Sequence, residues 1–149
     1  MGNLITTTSN KTDVGTQWRE KAQEYNNKRI SCIEKSQLAY QNGNHKMAKE
    51  WSEKAKDLSK KRDESNQKAA KAIFDALNNT TTKEGKDQHP PRTYDFHGLY
   101  VKEAVEKLEE IMKYAQKQKW SDVTIIVGRG NHSLDGIPKV RESGVVSYG

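Results

Sequence analysis

The sequence predicts an α+β/α/β protein in two parts, an N-terminal antiparallel helical hairpin followed by an α/β part built on a βαβ unit. Three observations carry this expectation. Small and apolar residues recur every three to four positions through two long stretches, residues 17–41 and 45–77. Only Asn42-Gly43-Asn44 separates those stretches. Further along, the period changes: alternation over residues 94–97, a helical stripe from Val101, then an unbroken apolar run at 123–127.

Residues 1–15 are polar, with Thr6-Thr7-Thr8-Ser9-Asn10 among them, and read as a disordered start. The hairpin occupies residues 16–79. Its first helix runs from about Gln17 to Gln41, with Trp18, Ala22, Tyr25, Cys32, Ile33, Ser36 and Ala39 along one side. Its second runs from about His45 to Leu77, and Ala48, Trp51, Ala55, Leu58, Arg62, Ser65, Ala69, Ile73, Phe74 and Leu77 trace the matching stripe. A connection this short makes the two helices antiparallel neighbours. The stripes read as core, and Trp18 and Trp51 as part of it rather than as base-stacking platforms. The second helix outlasts the first, so its end either protrudes or packs on the α/β part. Residues 80–93, with Thr80-Thr81-Thr82, Gly85 and Pro90-Pro91, read as a linker.

The α/β part is expected over residues 94–149. On a strand, Tyr94 and Phe96 share one face while Asp95 and His97 share the other. Gly98 follows and permits a sharp turn. Val101, Ala104, Val105, Leu108, Ile111, Met112 and Ala115 make the apolar stripe of the next helix, with Glu103–Lys107 and Glu109–Lys113 as supporting pairs four residues apart. The β-branched run at 123–127 suits a strand buried on both faces. A strand, a crossover helix and a second strand form a parallel, right-handed unit, whose strands end at the same edge. His97-Gly98 and Gly128-Arg129-Gly130 therefore emerge together, where open α/β sheets bind ligands. A further helix is expected near Pro138.

The residues gathered at that edge suit holding and cutting a phosphodiester. Asp95, His97 and His132 are the candidate catalytic groups. His97 and His132 exchange protons near neutral pH, and Asp95 either orients His97 or joins it on a metal. Gly98, Gly128, Arg129, Gly130, Asn131 and Ser133 are the candidate phosphate-binding positions. Glycines let backbone N–H groups approach an anion, and the Arg129 fork matches phosphate oxygens. The loop is neither a P-loop nor a dinucleotide fingerprint, since the lysine and the third glycine are absent. Magnesium is the one cofactor considered, with Asp95 as its ligand. A single aspartate is thin for a two-metal site, so the expectation is metal-independent cleavage.

Composition sets outer limits. The 149 residues make one domain or two small ones, and 32% hydrophobic against 31% charged content points to elongated, solvated helices. No run of eighteen apolar residues occurs, and the start lacks the basic and apolar regions of a secretory signal. The lone Cys32 forms no internal disulfide and suits a reducing compartment, so the expected location is cytoplasmic, with the nucleus second. One cysteine and four scattered histidines make no structural zinc site. Met1-Gly2 with Thr6 fits the myristoylation pattern, and a membrane partner is expected only if Gly2 is acylated. From Tyr94 onward eight Lys/Arg meet eight Asp/Glu, so the whole net charge of +6 lies in the first 93 residues. That basic helical part could contact phosphates or ribosomal RNA, although interspersed acids also suit a plain solvated face.

The stretch Asp95-Phe96-His97-Gly98-Leu99, then Glu103-Ala104, then Gly128-Arg129-Gly130-Asn131-His132-Ser133, resembles the Smr (small MutS-related) domain. That family shows Asp-Leu-His-Gly followed by a glycine-x-glycine loop and His-Ser. Phe96 stands here for the usual leucine. Tyr25, Ala39-Tyr40, Gly43, Ala48, Ser52, Lys56, Ala69-Ala70 and Ile73-Phe74 resemble the helical segment that often precedes Smr domains in eukaryotic proteins. The resemblance implies a two-layer α/β sandwich and nucleic-acid cleavage, with Asp95 and His97 as the acid/base motif and Gly128 and Gly130 as the glycine loop. It also implies further strands after residue 143, which the last residues do not supply, so the domain reads as truncated. The expected function is an endonuclease directed at RNA ahead of DNA, with the ribosome as a candidate partner. The alternative is a non-catalytic module that binds RNA, the ribosome or a protein through an inactive Smr domain.

Overall fold

A computed structural model describes residues 7–78 and 92–128, with side chains from Asp13 onward. The chain divides into two compact units, Met1–Ala72 and Ile73–Gly149. No described helix is long and apolar enough to cross a membrane.

The first unit is a helical hairpin. Helix α1 spans Thr7–Gln41 and helix α2 spans His45–Asn78. The turn between them satisfies both helix ends at once. Gly43, at φ +76°, takes the left-handed conformation that closes α1. Its N–H donates to Tyr40 O at 3.0 Å, and the Asn44 N–H donates to Ala39 O at 2.9 Å. Asn44 then caps α2, its Oδ1 accepting the Met47 N–H at 3.1 Å.

Both helices follow a strict heptad. In α1 the seam positions are Gly15, Trp18, Ala22, Tyr25, Arg29, Cys32, Ser36 and Ala39, and all are buried or half-buried. In α2 they are Ala48, Trp51, Ala55, Leu58, Arg62, Ser65, Ala69 and Ala72, again all buried or half-buried. The Ser36 hydroxyl donates to Ala48 O at 2.7 Å, which fixes the register. Both seams mix bulky with small residues, Trp18 and Trp51 standing among alanines, serines and a glycine. Alanine-rich seams let helices approach closely without voids. Midway lies a polar layer, in which Asn26 Oδ1 accepts from Arg29 Nε at 3.2 Å and from Arg62 Nη1 at 3.4 Å. A polar group at a seam position favours one register over its neighbours.

Helix α1 starts at Thr7, so the segment read as disordered through residue 15 is helical from Thr7 onward. The physical reason is the seam, which continues to the buried Gly15 and outweighs the weak helix propensity of threonine and asparagine. Helix α2 likewise runs one residue past Leu77, to Asn78.

The second unit holds strand β1 (Thr93–Asp95), helix α3 (Val101–Lys117) and strand β2 (Thr124–Ile126), together with the last residues of α2 from Ile73. The strands pair in parallel, Thr93 with Thr124, Tyr94 with Ile125 and Asp95 with Ile126. This is the expected βαβ unit. The Phe96 N–H continues the ladder to Ile126 O at 2.8 Å. Tyr94, Phe96, Ala104 and Ile111 form the buried core, with Phe74, Leu108, Val123 and Ile125 packed against it. Phe74 stacks on Tyr94 with centroids 6.3 Å apart and meets Phe96 edge-on at 5.9 Å. The end of α2 thus packs on the α/β part. Helix α3 is fixed at its start by Glu103 Oε2, which accepts the Tyr100 N–H at 2.9 Å. It closes on Lys119 at φ 57°, with the Trp120 N–H donating to Ala115 O.

One expectation is corrected here. β2 is not buried on both faces: Thr124 is exposed and Ile126 is 48% exposed. Helices cover only the face of Tyr94, Phe96 and Ile125. Among the described residues no layer lies on the opposite face. The helix expected near Pro138 and the residues after it lie outside the described residues, as do the linker positions from 79 to 91.

Candidate active site

The site begins where β1 ends. Alternation along the strand buries Tyr94 and Phe96 and turns Asp95 and His97 to the uncovered face, with Asp95 half-buried and His97 exposed. Asp95 Oδ1 accepts the backbone N–H of His97 at 2.8 Å. This is a local turn in which an aspartate replaces a backbone acceptor. Asp95 therefore orients His97 through its amide, and not through its imidazole as a carboxylate–histidine pair would. Gly98 follows at φ +78°, and a Cβ there would lie 3.4 Å from Ile73 Cγ2. That contact is an ordinary one, and the position needs glycine for its conformation. The Leu99 N–H donates back to Phe96 O at 3.2 Å and completes the turn.

The two motif patches meet. Continuing the strand register by two residues sets His97 opposite Gly128. A Cβ on Gly128 would lie 3.7 Å from His97 Nδ1 and 3.8 Å from Cε1, so the imidazole rests over the glycine. Asp95, His97, Gly98 and Gly128 are thus brought to one edge of the sheet. Arg129, Gly130, Asn131, His132 and Ser133 lie outside the described residues, and so does Gly2. No three His, Cys, Asp or Glu side chains converge among the described residues.

A residue that sequence reasoning missed is Asn78. An asparagine beside a polar stretch reads as a helix end leading into the linker, yet this one holds the strand that carries Asp95. Its Oδ1 accepts the Asp95 N–H at 2.7 Å, and its Nδ2 donates to Asp95 O at 2.8 Å and to Phe74 O at 2.9 Å. β1 turns the Phe96 N–H toward β2, so the N–H and C=O of Asp95 point to the opposite edge. The Asn78 carboxamide occupies that edge as a single peptide-like rung. The only sequence signal is the surplus length of the second helix with Phe74 on it. Below the site, burial pushes the Tyr94 phenol above its ordinary pKa, and nearby Tyr114 adds to the shift.

Comparison with known proteins agrees with this architecture. Residues 16–78 match a domain of unknown function, DUF1771, and residues 94–146 match the Smr domain. The chain is 38% identical over 125 residues to a Saccharomyces cerevisiae protein named endonuclease NBR9, an alignment covering 84% of this chain and 49% of the relative. It is 33% identical over 114 residues to an Smr domain-containing protein of Schizosaccharomyces pombe, covering 76% of this chain and 52% of that protein. It is 29% identical over 136 residues to human NEDD4-binding protein 2, covering 88% of this chain but 7% of the relative. The chain therefore spans about half the length of the two yeast proteins. No solved structure matches it significantly. The matches identify an Smr domain in this chain, preceded by a DUF1771 helical segment, and the half-buried aspartate, the histidine over a glycine and the parallel βαβ unit lie within that domain.

Proposed function

We propose that the chain is an RNA endonuclease whose site is the edge formed by Asp95, His97 and the glycine loop from Gly128. One observation carries the reading: the His97 imidazole lies over Gly128, with its backbone held by the Asp95 carboxylate. An exposed histidine on a fixed backbone beside a glycine is suited to proton transfer at an approaching phosphate. In the proposed reaction His97 takes the proton of a 2′-hydroxyl, and that oxygen attacks the adjacent phosphorus. The 5′ oxygen leaves with a proton from His132. The products are a 2′,3′-cyclic phosphate and a 5′-hydroxyl end. Arg129 and the amides near Gly128 and Gly130 balance the charge that develops on the phosphoryl oxygens. The name of the S. cerevisiae relative, an endonuclease, supports this class of activity. RNA, free or on the ribosome, is the proposed partner, and the cytoplasm the proposed location.

The test is cleavage of end-labelled single-stranded RNA by the purified chain, with and without EDTA, beside His97→Ala. Cleavage that the variant abolishes supports the proposal, and the EDTA lane decides whether a metal takes part. Retardation of RNA without cleavage favours a binding module instead. The names of two relatives, NEDD4-binding protein 2 and polyadenylate-binding protein-interacting protein 7 of Arabidopsis thaliana, give that second reading its support.

A further inference from the structure

The heptads of α1 and α2 carry more than a seam. The positions just before each a residue of the seam form one flank of the hairpin. In α1 they are Val14, Lys21, Lys28 and Lys35, and in α2 they are Met47, Lys54, Lys61 and Lys68. Six of the eight are lysine. In an antiparallel pair the flanking positions of this kind face each other across the seam. Four contacts place the lysines there. Lys35 and Lys54 lie over Trp51 at 4.6 and 4.3 Å from the ring centroid, and Lys21 and Lys68 lie over Trp18 at 5.2 and 4.6 Å. Each tryptophan is thus covered by one lysine from each helix. Lys28 and Lys61 fall between them in the same heptad positions and are exposed.

The charge on this flank is unpaired. Glu24, Glu50, Asp57 and Glu64 stand one row further out, and each precedes a flank lysine by four residues, a spacing that favours ion pairs. Among the described residues none of the six lysines closes an ion pair. Those contacting Trp18 and Trp51 turn inward over the rings. The opposite flank is built differently. It carries Arg19, Asn26, Ile33 and Tyr40 from α1 with Ser52, Ser59 and Asn66 from α2, and Arg19 Nη1 donates to Asn66 Oδ1 at 2.8 Å. One side of the hairpin is therefore hydrogen-bonded and nearly neutral, and the other concentrates like charge in two facing rows.

We infer that this lysine flank is a binding track for the phosphate backbone of single-stranded RNA. Lysines repeat about every 10 Å along each helix, and the rows extend about 20 Å, the span of a few nucleotides. Ammonium groups on flexible stems bind phosphate as point charges and read no base edge, so the track is sequence-tolerant. An acidic protein partner would need apolar anchors as well. Along the lysine rows the large apolar groups are the two tryptophans, and lysines cover both; the exposed Val14 and Met47 stand beyond the rows, one at each end. The track uses neither Asp95 nor His97, so the inference stands or falls independently of cleavage.

The experiment uses the full chain and a fluorescein-labelled, 2′-O-methylated single-stranded RNA of mixed sequence, which offers no 2′-hydroxyl to react. Binding is measured by anisotropy between 50 and 300 mM salt. Six phosphate contacts correspond to a log–log salt slope of about −4 on a single strand. Lys28→Gln/Lys61→Gln should flatten the slope by about 1.4 and weaken binding about fivefold or more at low salt. The control, Lys49→Gln/Lys60→Gln, removes the same charge from exposed outer positions and should do neither. Circular dichroism confirms that both variants keep the hairpin. Equal weakening by both pairs would reduce the effect to net charge and overturn the inference, as would no weakening by the flank pair. Displacement of the RNA by poly-glutamate at equal charge concentration would assign the flank to an acidic polypeptide and also overturn it.

Discussion

Asn78→Ala should loosen β1 while leaving the hairpin intact. The substitution removes three hydrogen bonds, two to the backbone of Asp95 and one to Phe74 O, and leaves an N–H and two carbonyls without that partner. A typical bond contributes about 1 kcal/mol net, and the partial exposure of this edge lets water replace some of it. The expected loss is about 2 kcal/mol, which lowers the melting temperature of a unit this size by about 10 °C. Asn78→Asp keeps the acceptor for the Asp95 N–H but turns a carboxylate toward two carbonyls, so it should destabilise at least as much near neutral pH. Hydrogen exchange followed by NMR reads the local effect directly. The amides of Asp95 and His97 should exchange faster in both variants, because the His97 N–H is held by the carboxylate of a strand residue that has lost its outer partner. Amides around Ala55 and Cys32 in the hairpin seam should be unchanged. RNA cleavage should lose kcat about tenfold with KM little altered, as expected when reacting groups are misplaced while substrate binding survives. Unchanged exchange at Asp95 and His97 in Asn78→Ala would refute the reasoning, whatever happened to activity.

Gly128→Ala should fold normally, since a Cβ there meets the His97 ring at ordinary contact distance, yet it should cut cleavage about tenfold or more by filling the space beside Nδ1; thermal melts and cleavage rates check the two halves separately. Lys119→Gly should stabilise the chain by about 0.5–1 kcal/mol in urea unfolding, because φ 57° at the end of α3 costs a side-chain-bearing residue more than glycine. The Tyr94 phenol binds its proton more tightly when folded, since burial and then Tyr114 raise its pKa. That contribution to stability is fully present below the ordinary tyrosine pKa near 10 and is lost as pH rises through the higher folded value. Urea midpoints should therefore fall above about pH 10, and less steeply in Tyr94→Phe.

The elements were legible wherever local pattern decided them. Helix α3 and the hairpin turn followed from the spacing of Val101, Ala104, Leu108 and Ile111 and from Asn42-Gly43-Asn44. The alternation of Tyr94 to His97 also assigned the buried and solvent faces of β1. Three features were not legible, each for a different reason. The helical state of residues 7–15 depends on the seam continuing to Gly15, while the local composition argues for disorder. The exposed face of β2 depends on which layers cover the sheet, and an apolar run such as Thr124-Ile125-Ile126 carries no record of that. The role of Asn78 depends on a partner 17 residues away, and an asparagine at a helix end next to a polar stretch reads as a turn residue.

The placement of Asn78 bears on where the Smr unit begins. The two sequence families meet on either side of a gap, one ending at residue 78 and the other starting at residue 94. The physical boundary falls elsewhere, inside α2 between Ala72 and Ile73. Phe74 supplies an aromatic partner to both Tyr94 and Phe96, Ile73 closes the space beside Gly98, and Asn78 completes the edge of β1. Each of these interactions lands on a residue of the Asp-Phe-His-Gly motif or on its immediate neighbour. A βαβ unit with three-residue strands has little ladder of its own to fix them, and short isolated strand pairs are marginal in water. The last turn and a half of a helix assigned to the DUF1771 segment is therefore part of what holds Asp95 and His97 in place. In this chain the helical segment thus delivers an edge partner and an aromatic ring to the motif that follows it.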